Sequence, residues 1–279
     1  CERRQPSVSP KVKRECCMKL DVHFSQSQVD EMQLREKNVV VIDVLRSSTT
    51  VVTALQNGAR EVIPVGSIES AVKISGSLFG DVTIRGGERN GKIIQGFNLG
   101  NSPLEYTEAT VRGKSIIFCT TNGSAAMVKS RYARNMAVGA FVNFSKIVEF
   151  VKALKADVLL LCAGRPVSTG GFSLEDAVCA GLIVQSLSSE KSSRYELTDA
   201  ALAAQSFYKN FGKSIGKMLK NSEHGKYLVE IGFEEDIAVC AQIDSVPILP
   251  ILNGTAIKLQ RDAARGSEKE SLEVPKSVA

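Results

Sequence analysis

The chain has 279 residues, 43% of them hydrophobic, and its 35 Lys and Arg against 30 Asp and Glu leave a net charge of +5. That length and apolar fraction suffice for a sizeable core. No apolar run approaches the ~20 residues needed to cross a bilayer and no block of like charge marks a nucleic-acid surface, so neither membrane nor nucleic acid is expected as a partner.

Residues 1–17 carry Arg3, Arg4, Lys11, Lys13 and Arg14 without apolar periodicity. They read as a disordered basic leader, either the remnant of an organellar transit segment or residues ahead of an internal start at Met18. Lys19–Phe24 reads as the first strand, and Ser25–Glu36 as a polar loop or short helix. Val39–Ile42 is a continuous β-branched run, the mark of a strand buried on both faces. Asp43 ends it, Arg46 follows, and Ser47, Ser48, Thr49 and Thr50 open a helix that stops at Asn57-Gly58. Ligands of open α/β sheets sit outside the carboxyl ends of strands, where helix N-termini offer free N–H groups. An acid, an arginine and several hydroxyls in such a turn therefore suit a metal plus a phosphate or sulfonate. The plainer alternative is that Asp43 caps the helix and Arg46 pairs with it at the surface.

Glu61–Pro64 and Val82–Ile84 read as strands, with a capped helix after Ser67. Arg85–Pro103, RGGERNGKIIQGFNLGNSP, holds five glycines among charged and amide residues. It is too glycine-dense for an ordinary strand or helix and long enough to be functional. Gly86 to Lys92 approaches a P-loop, but Ile93 stands where a magnesium-binding hydroxyl belongs and no helical pattern follows, which rejects that reading.

Lys114–Cys119 is a buried strand that ends in Thr120, Thr121, Asn122 and Gly123 before a further helix, the same design as at Asp43. Met136–Ala140 and Asp157–Cys162 are strands followed by helices, the second through Ala163-Gly164-Arg165 and Leu174-Glu175-Asp176. Ser188–Tyr195 reads as a surface link, Thr198–Phe211 as a helix, Asn221–Gly225 as the cap of another, and Ile237–Ala241 as helix or strand. Residues 260–279 mix charges without pattern and read as a disordered tail. Buried strands that each end in a polar turn before a helix argue for a three-layer α/β/α domain over residues 18–259, with a mostly parallel or mixed sheet.

The seven cysteines include no CxxC pair, which argues against a zinc or thioredoxin-type site and for a reducing compartment, the cytoplasm or a reducing organelle if the leader is a transit remnant. Cys119, Cys162 and Cys240 lie inside apolar runs and read as buried thiols. With His23 and His224 as the sole histidines, any metal is expected on oxygen ligands, as suits magnesium. Several hydrolase templates fail. No arginine stands six residues after Cys119 or Cys162, Asp43 is not followed by a second acid two residues on, and no Gly-x-Ser-x-Gly elbow is present.

Five segments, VIDVLRSSTT, GGERNGKIIQGFNLGNSP, TTNGS, CAG with LEDAVCAG, and HGKYLVEIGFEEDIAVC, together resemble the 2-phosphosulfolactate phosphatase family of coenzyme M biosynthesis. The resemblance runs from about Lys19 to about Leu252. It implies a three-layer α/β/α fold, a magnesium ion, and hydrolysis of 2-phosphosulfolactate to sulfolactate and phosphate. Ser47-Ser48 replace the usual Ala-Thr, Asn98 a usual Asp, and Ser124 a usual Thr.

On that resemblance Asp43, Glu88, Asp176 and His224 are expected to be catalytic, with Asp43, Glu88 and Asp236 on magnesium. Arg46 and Arg89 are expected to clamp anionic groups bidentately, and Asn101, Thr121, Asn122 and Gly123 to hold substrate oxygens. Asp176 or His224 moves the proton. Structural alternatives stand beside these: Glu175-Asp176 as a helix cap, and His224 as a helix-end residue. The partner expected is a small anionic phosphate ester; a homodimer is left open. Two other functions stay in view, a phosphatase of a different small anionic ester and a silent protein that binds an anionic metabolite.

Overall fold

The computed structural model describes residues 17–77, 82–166, 168, 171–189 and 194–260. Apart from Cys17 and Gln260 at their inner edges, the expected leader and tail lie outside the described residues.

Strands and helices alternate in the order β1 (Met18–His23), α1 (Glu31–Leu34), β2 (Asn38–Ile42), α2 (Ser47–Gln56), β3 (Glu61–Pro64), α3 (Ile68–Ser77), β4 (Thr83–Arg89) and β5 (Lys92–Ile93). There follow α4 (Glu108–Val111), β6 (Ser115–Cys119), α5 (Gly123–Lys129), β7 (Asn135–Gly139), α6 (Phe144–Leu154), β8 (Val158–Cys162) and α7 (Leu174–Ser188). The last part holds β9 (Tyr195–Leu197), α8 (Asp199–Phe211), α9 (Ile215–Asn221), α10 (Glu223–Glu230), α11 (Glu234–Cys240), β10 (Pro250–Asn253) and β11 (Ala256–Leu259).

All eleven strands join one mixed sheet in the order β5-β4-β6-β3-β11-β10-β7-β2-β8-β1-β9. The protein is an α/β fold, as its alternating pattern predicts. The central strands β2, β6 and β8 are buried at every position, which is why they read as unbroken apolar runs rather than alternating ones. Their successive side chains feed opposite layers. Val40, Ile42 and Leu160 pack with Ile147 and Val151 of α6 and Val178 and Ile183 of α7. Val39, Val41, Leu159 and Leu161 pack with Val51 and Leu55 of α2 and Met127 of α5.

Two features depart from the sequence reading. The first is the glycine-rich segment, whose start is strand after all. β4 runs through Gly86 and Gly87, because a Cβ there would lie 2.1 Å from the Tyr106 hydroxyl and 1.9 Å from the Cys119 carbonyl. Glycine density here marks close backbone approach rather than a loop. From Ile94 to Ser102 the segment is irregular, as expected. The second is the β10–β11 hairpin, turning at Gly254 with φ +63°, which the sequence pass left unassigned. It sits antiparallel to β7 on one side and to β3 on the other, so the block β4-β6-β3 runs opposite in sense to β7-β2-β8-β1-β9. Ile237–Ala241, open between helix and strand, lies mostly in helix α11, and the end of the Ser188–Tyr195 link begins edge strand β9.

Glu61 ties this join together. It accepts from Ser115 Oγ of β6 at 2.7 Å and meets Lys258 Nζ of β11 at 3.0 Å. Burial raises its pKa, but the bonds from Ser115 and Lys258 outweigh that and hold it below the ordinary value. A depressed carboxylate adds stability above its unfolded pKa and loses it as pH falls through the folded one. Glu61→Gln is therefore expected to cost about 1 kcal/mol near neutral pH, with the gap in Tm to wild type closing below about pH 4. A gap that persists unchanged to low pH in thermal melts would show that the charge is not the cause.

Candidate active site

The turn after β2 is fixed by its own side chains. The Asp43 N–H donates to Ser48 Oγ at 2.9 Å, and the Ser48 N–H returns to the Asp43 carbonyl at 2.8 Å. The turn after β6 repeats the device, with the Thr120 N–H donating to Ser124 Oγ at 2.8 Å and the Ser124 N–H to Thr120 Oγ1 at 2.9 Å. In both turns the serine four or five positions on, in the first turn of the following helix, reaches back to the residue that follows the strand. The four hydroxyls after Arg46 staple the site. Ser47 Oγ donates to Thr120 Oγ1 at 3.1 Å, Thr49 Oγ1 to the Val44 carbonyl at 3.0 Å, and Thr50 Oγ1 to the Asn101 carbonyl at 2.8 Å. The β2 turn is thereby fastened to the β6 turn and to the glycine-rich segment.

A cavity of about 350 Å³ opens where these turns meet. Asp43, Glu88, Asn101, Thr121, Asn122, Asp176 and His224 all line it, so most of the predicted site residues converge. Glu88 is buried and accepts from two backbone groups, the Thr121 N–H at 2.8 Å and the Gly91 N–H at 2.8 Å. Asp176, in the first turn of α7, accepts from the Val44 N–H at 2.8 Å and the Gly164 N–H at 3.2 Å. It thus holds the ends of β2 and β8 together.

Crowding of buried acids shifts their protonation. Burial pushes Asp43 up to about 6; the Ser47 bond and the His224 charge oppose that, and Glu88 adds to it. Burial, with repulsion from Asp43 and Glu175, raises Asp176 well above the usual carboxylate range. Glu175 goes the other way. Burial works against its charge, but His224, whose Nδ1 lies 3.6 Å from Oε1, outweighs it and holds the pKa down. Two cavity-lining oxygens, Asn101 Oδ1 and Thr121 Oγ1, are buried without any hydrogen-bond partner. Unpartnered buried oxygens are rare in native structures, and both residues border the space the acids surround.

Three predicted residues have other settings. Arg46 is 2% exposed and Asp236 1%. Arg46 Nη1 donates to Asp236 Oδ2 at 2.7 Å, Nη2 donates to the Gly91 carbonyl at 2.8 Å, and the guanidinium lies over the Phe233 ring, 4.3 Å from its centroid. Asp236 Oδ1 accepts from Ser102 Oγ at 2.6 Å. Arg46 touches the cavity, but its fork is engaged, and Asp236 does not line the cavity. Arg46 and Asp236, expected as substrate clamp and metal ligand, meet here in a buried ion pair that anchors α11 to the turn. Arg89 folds back, donating to the Glu88 carbonyl at 2.8 Å and Cys119 Sγ at 3.2 Å, and is not a lining residue either. Gly123 abuts the site from behind, where an added Cβ would lie 2.4 Å from Asp43 Oδ2.

Sequence reasoning passed over Arg165 and Tyr227, both at the cavity. Arg165 stands after β8 as Asp43 stands after β2, so the strand-end rule was the signal that could have found it.

Removing one partner of a buried pair leaves an uncompensated charge. Asp236→Ala is therefore expected to lower stability by about 3–5 kcal/mol, read as a large fall in Tm. A variant with wild-type Tm and weakened magnesium binding would return Asp236 to the metal.

With this geometry in hand, comparison with known proteins is informative. The sequence profile of the family described as 2-phosphosulpholactate phosphatase matches residues 23–255. A protein of Caldanaerobacter subterraneus subsp. tengcongensis, named "Probable 2-phosphosulfolactate phosphatase", is 37% identical over 245 residues, 88% of this chain and 100% of the relative. Proteins of the same name from Clostridium acetobutylicum and Thermotoga maritima are 38% and 43% identical, covering 84% and 79% of this chain and 97% and 92% of the relatives. The match spans every strand-end turn that supplies the cavity, and the chain belongs to the 2-phosphosulfolactate phosphatase family.

Proposed function

We propose that this protein is a magnesium-dependent phosphatase that hydrolyses 2-phosphosulfolactate to sulfolactate and inorganic phosphate. The observation that carries the reading is the donor set of the cavity: two buried carboxylates, Asp43 and Glu88, beside two unpartnered oxygens, Asn101 Oδ1 and Thr121 Oγ1. Among the described residues no group of three or more His, Cys, Asp and Glu is arranged to hold a metal, so a cage of charged ligands is not the design. Magnesium asks for less. It takes one or two carboxylates with neutral oxygens and water, and Asp43 and Glu88 with Asn101 and Thr121 fit that requirement. When bound, magnesium would neutralise phosphoryl oxygens and polarise the phosphorus toward attack.

The protein's own groups account for the rest of the hydrolysis. Water adds to phosphorus, the bond from phosphorus to the lactate oxygen breaks, and its electron pair leaves with that oxygen, which needs a proton. Asp176 is suited to supply it, since burial, with repulsion from Asp43 and Glu175, raises its pKa well above the usual carboxylate range. His224 turns Nδ1 to Glu175, which leaves Nε2 as the ring nitrogen for the water or a substrate oxygen. The Asn122 side of the cavity, at the start of α5, holds an anionic oxygen of the ester. The site gathers residues from strand ends, from the irregular segment after β5 and from helix α10, and positioning and electrostatics do most of the work, as in phosphoryl transfer generally.

Two variants test this. Asp43→Asn keeps the shape and removes the charge, and is expected to lower kcat for phosphate release by about 10³-fold and to weaken magnesium binding in calorimetry. Retention of both turnover and magnesium affinity refutes the assignment. Gly123→Ala pushes a methyl group against Asp43 Oδ2 and Ser47. It is expected to cost about 1–3 kcal/mol of stability and most of the turnover, measured in the same phosphate-release assay.

A further inference from the structure

The cavity carries a surplus of buried acid and very little free positive charge. Of the two arginines that line it, Arg46 is committed to Asp236 and Gly91. Arg165 is different. Its side chain is 21% exposed, and its charged contact is with Glu223, which is 81% exposed. An ion pair whose acid is that exposed is held weakly, because water competes for both ends. Arg165 also borders a second cavity of about 340 Å³, lined further by Phe172, Leu174, Asn221 and Glu223. That cavity shares Arg165, Ser173 and His224 with the first. Glu223 borders the second cavity alone, so Arg165 stands between the space around the acids and the carboxylate that engages it.

We propose that Arg165 is the specificity-determining cation of the site: it takes the anionic group of the ester that lies away from phosphorus, and Glu223 occupies its place until substrate arrives. This rests on the phosphatase reading above. The substrate has a phosphate, a carboxylate and a sulfonate on adjacent carbons. The phosphate goes to the end of the cavity where Asp43, Glu88, Asn101 and Thr121 gather, so the remaining anions need donors elsewhere. Arg165 supplies a planar fork suited to such oxyanions. Glu223 rotates into solvent at little cost, since nothing buries it. Exchange of one carboxylate for another oxyanion on the same guanidinium conserves charge pairing, whereas an uncharged group would leave Arg165 with Glu223.

The test uses the full chain and three esters: 2-phosphosulfolactate, 2-phospholactate, which lacks the sulfonate, and the phosphate ester of 2-hydroxyethanesulfonate, which lacks the carboxylate. Arg165→Gln is expected to raise KM about tenfold or more on 2-phosphosulfolactate with a smaller change in kcat. The penalty shrinks on whichever ester lacks the group that Arg165 binds, which tells sulfonate from carboxylate. Arg165→Lys restores part of the loss, and Glu223→Gln, which removes the competitor, lowers KM. A penalty equal on all three esters, or a lower Tm with no change in KM, overturns the proposal and leaves Arg165 a structural residue. Calorimetry with sulfolactate gives a readout independent of turnover. If the wild-type protein hydrolyses none of the esters yet binds sulfolactate in a manner lost in Arg165→Gln, the phosphatase reading falls and the anion site stands. If it hydrolyses them and Arg165→Gln leaves sulfolactate affinity unchanged, the reverse holds.

Discussion

Buried negative charge is the constraint from which the rest of this structure follows. Asp43, Glu88, Glu175 and Asp176 are each almost wholly removed from water within one small region. Carboxylates so placed are costly unless protonated, hydrogen-bonded or paired with a cation. The protein uses all the means it has. Backbone N–H groups of Ser47, Thr121, Gly91, Val44 and Gly164 point at the acids. His224 compensates Glu175. Burial raises the pKa of Asp176 well above the usual carboxylate range and that of Asp43 to about 6. What is left over is two bare oxygens and a charge not fully matched, and on the proposed function magnesium would answer both.

Seen this way, the local oddities have a common cause. The donors needed by the acids are backbone groups at strand ends, and delivering them requires turns of defined shape. The two turns stapled by Ser48 and Ser124 deliver the N–H groups of α2 and α5 in register. Asn90 and Gly91, both at positive φ, bend the chain after β4 so that the Gly91 N–H meets Glu88 while its carbonyl meets Arg46. A single glycine thus serves a carboxylate on one side and a guanidinium on the other.

How much of this could be read from the chain depends on the range of the interaction. Asp43, its buried strand and its hydroxyl-capped helix are contiguous, so periodicity and capping chemistry reveal them. The convergence of Glu88, Asn101, Thr121 and Asp176 was legible because each stands in a polar turn beside a buried strand, where α/β sheets place their ligands. The pairing of Arg46 was not legible, for the opposite reason. Its neighbours in sequence suggest a substrate clamp, but its partner Asp236 is 190 residues away, and nothing local distinguishes an arginine facing a ligand from one buried against a distant acid. The glycines of β4 misled in a similar manner, since the Tyr106 ring and Cys119 carbonyl that require them are brought by tertiary packing. The β10–β11 hairpin did carry a local signal, Gly254-Thr255 as a two-residue turn between Asn253 and Ala256, and short strands are easily passed over.

Arg46 and Arg89 are both engaged by the protein's own groups, Arg46 at the cavity wall and Arg89 away from it. A cavity with two freely available arginines would bind a multiply charged anion by itself, with or without a metal. This one has its acids inward and its one loosely held guanidinium outward, paired with an exposed carboxylate. On the proposed function, an anion entering alone would meet repulsion from Asp43 and Glu88, and magnesium at those acids would offset it. Selectivity among esters is then assigned to the other end, where exchange against Glu223 rewards a second oxyanion. The division separates the two tasks in space: the buried acids govern whether phosphorus reacts, and the exposed pair governs which molecule carries it there.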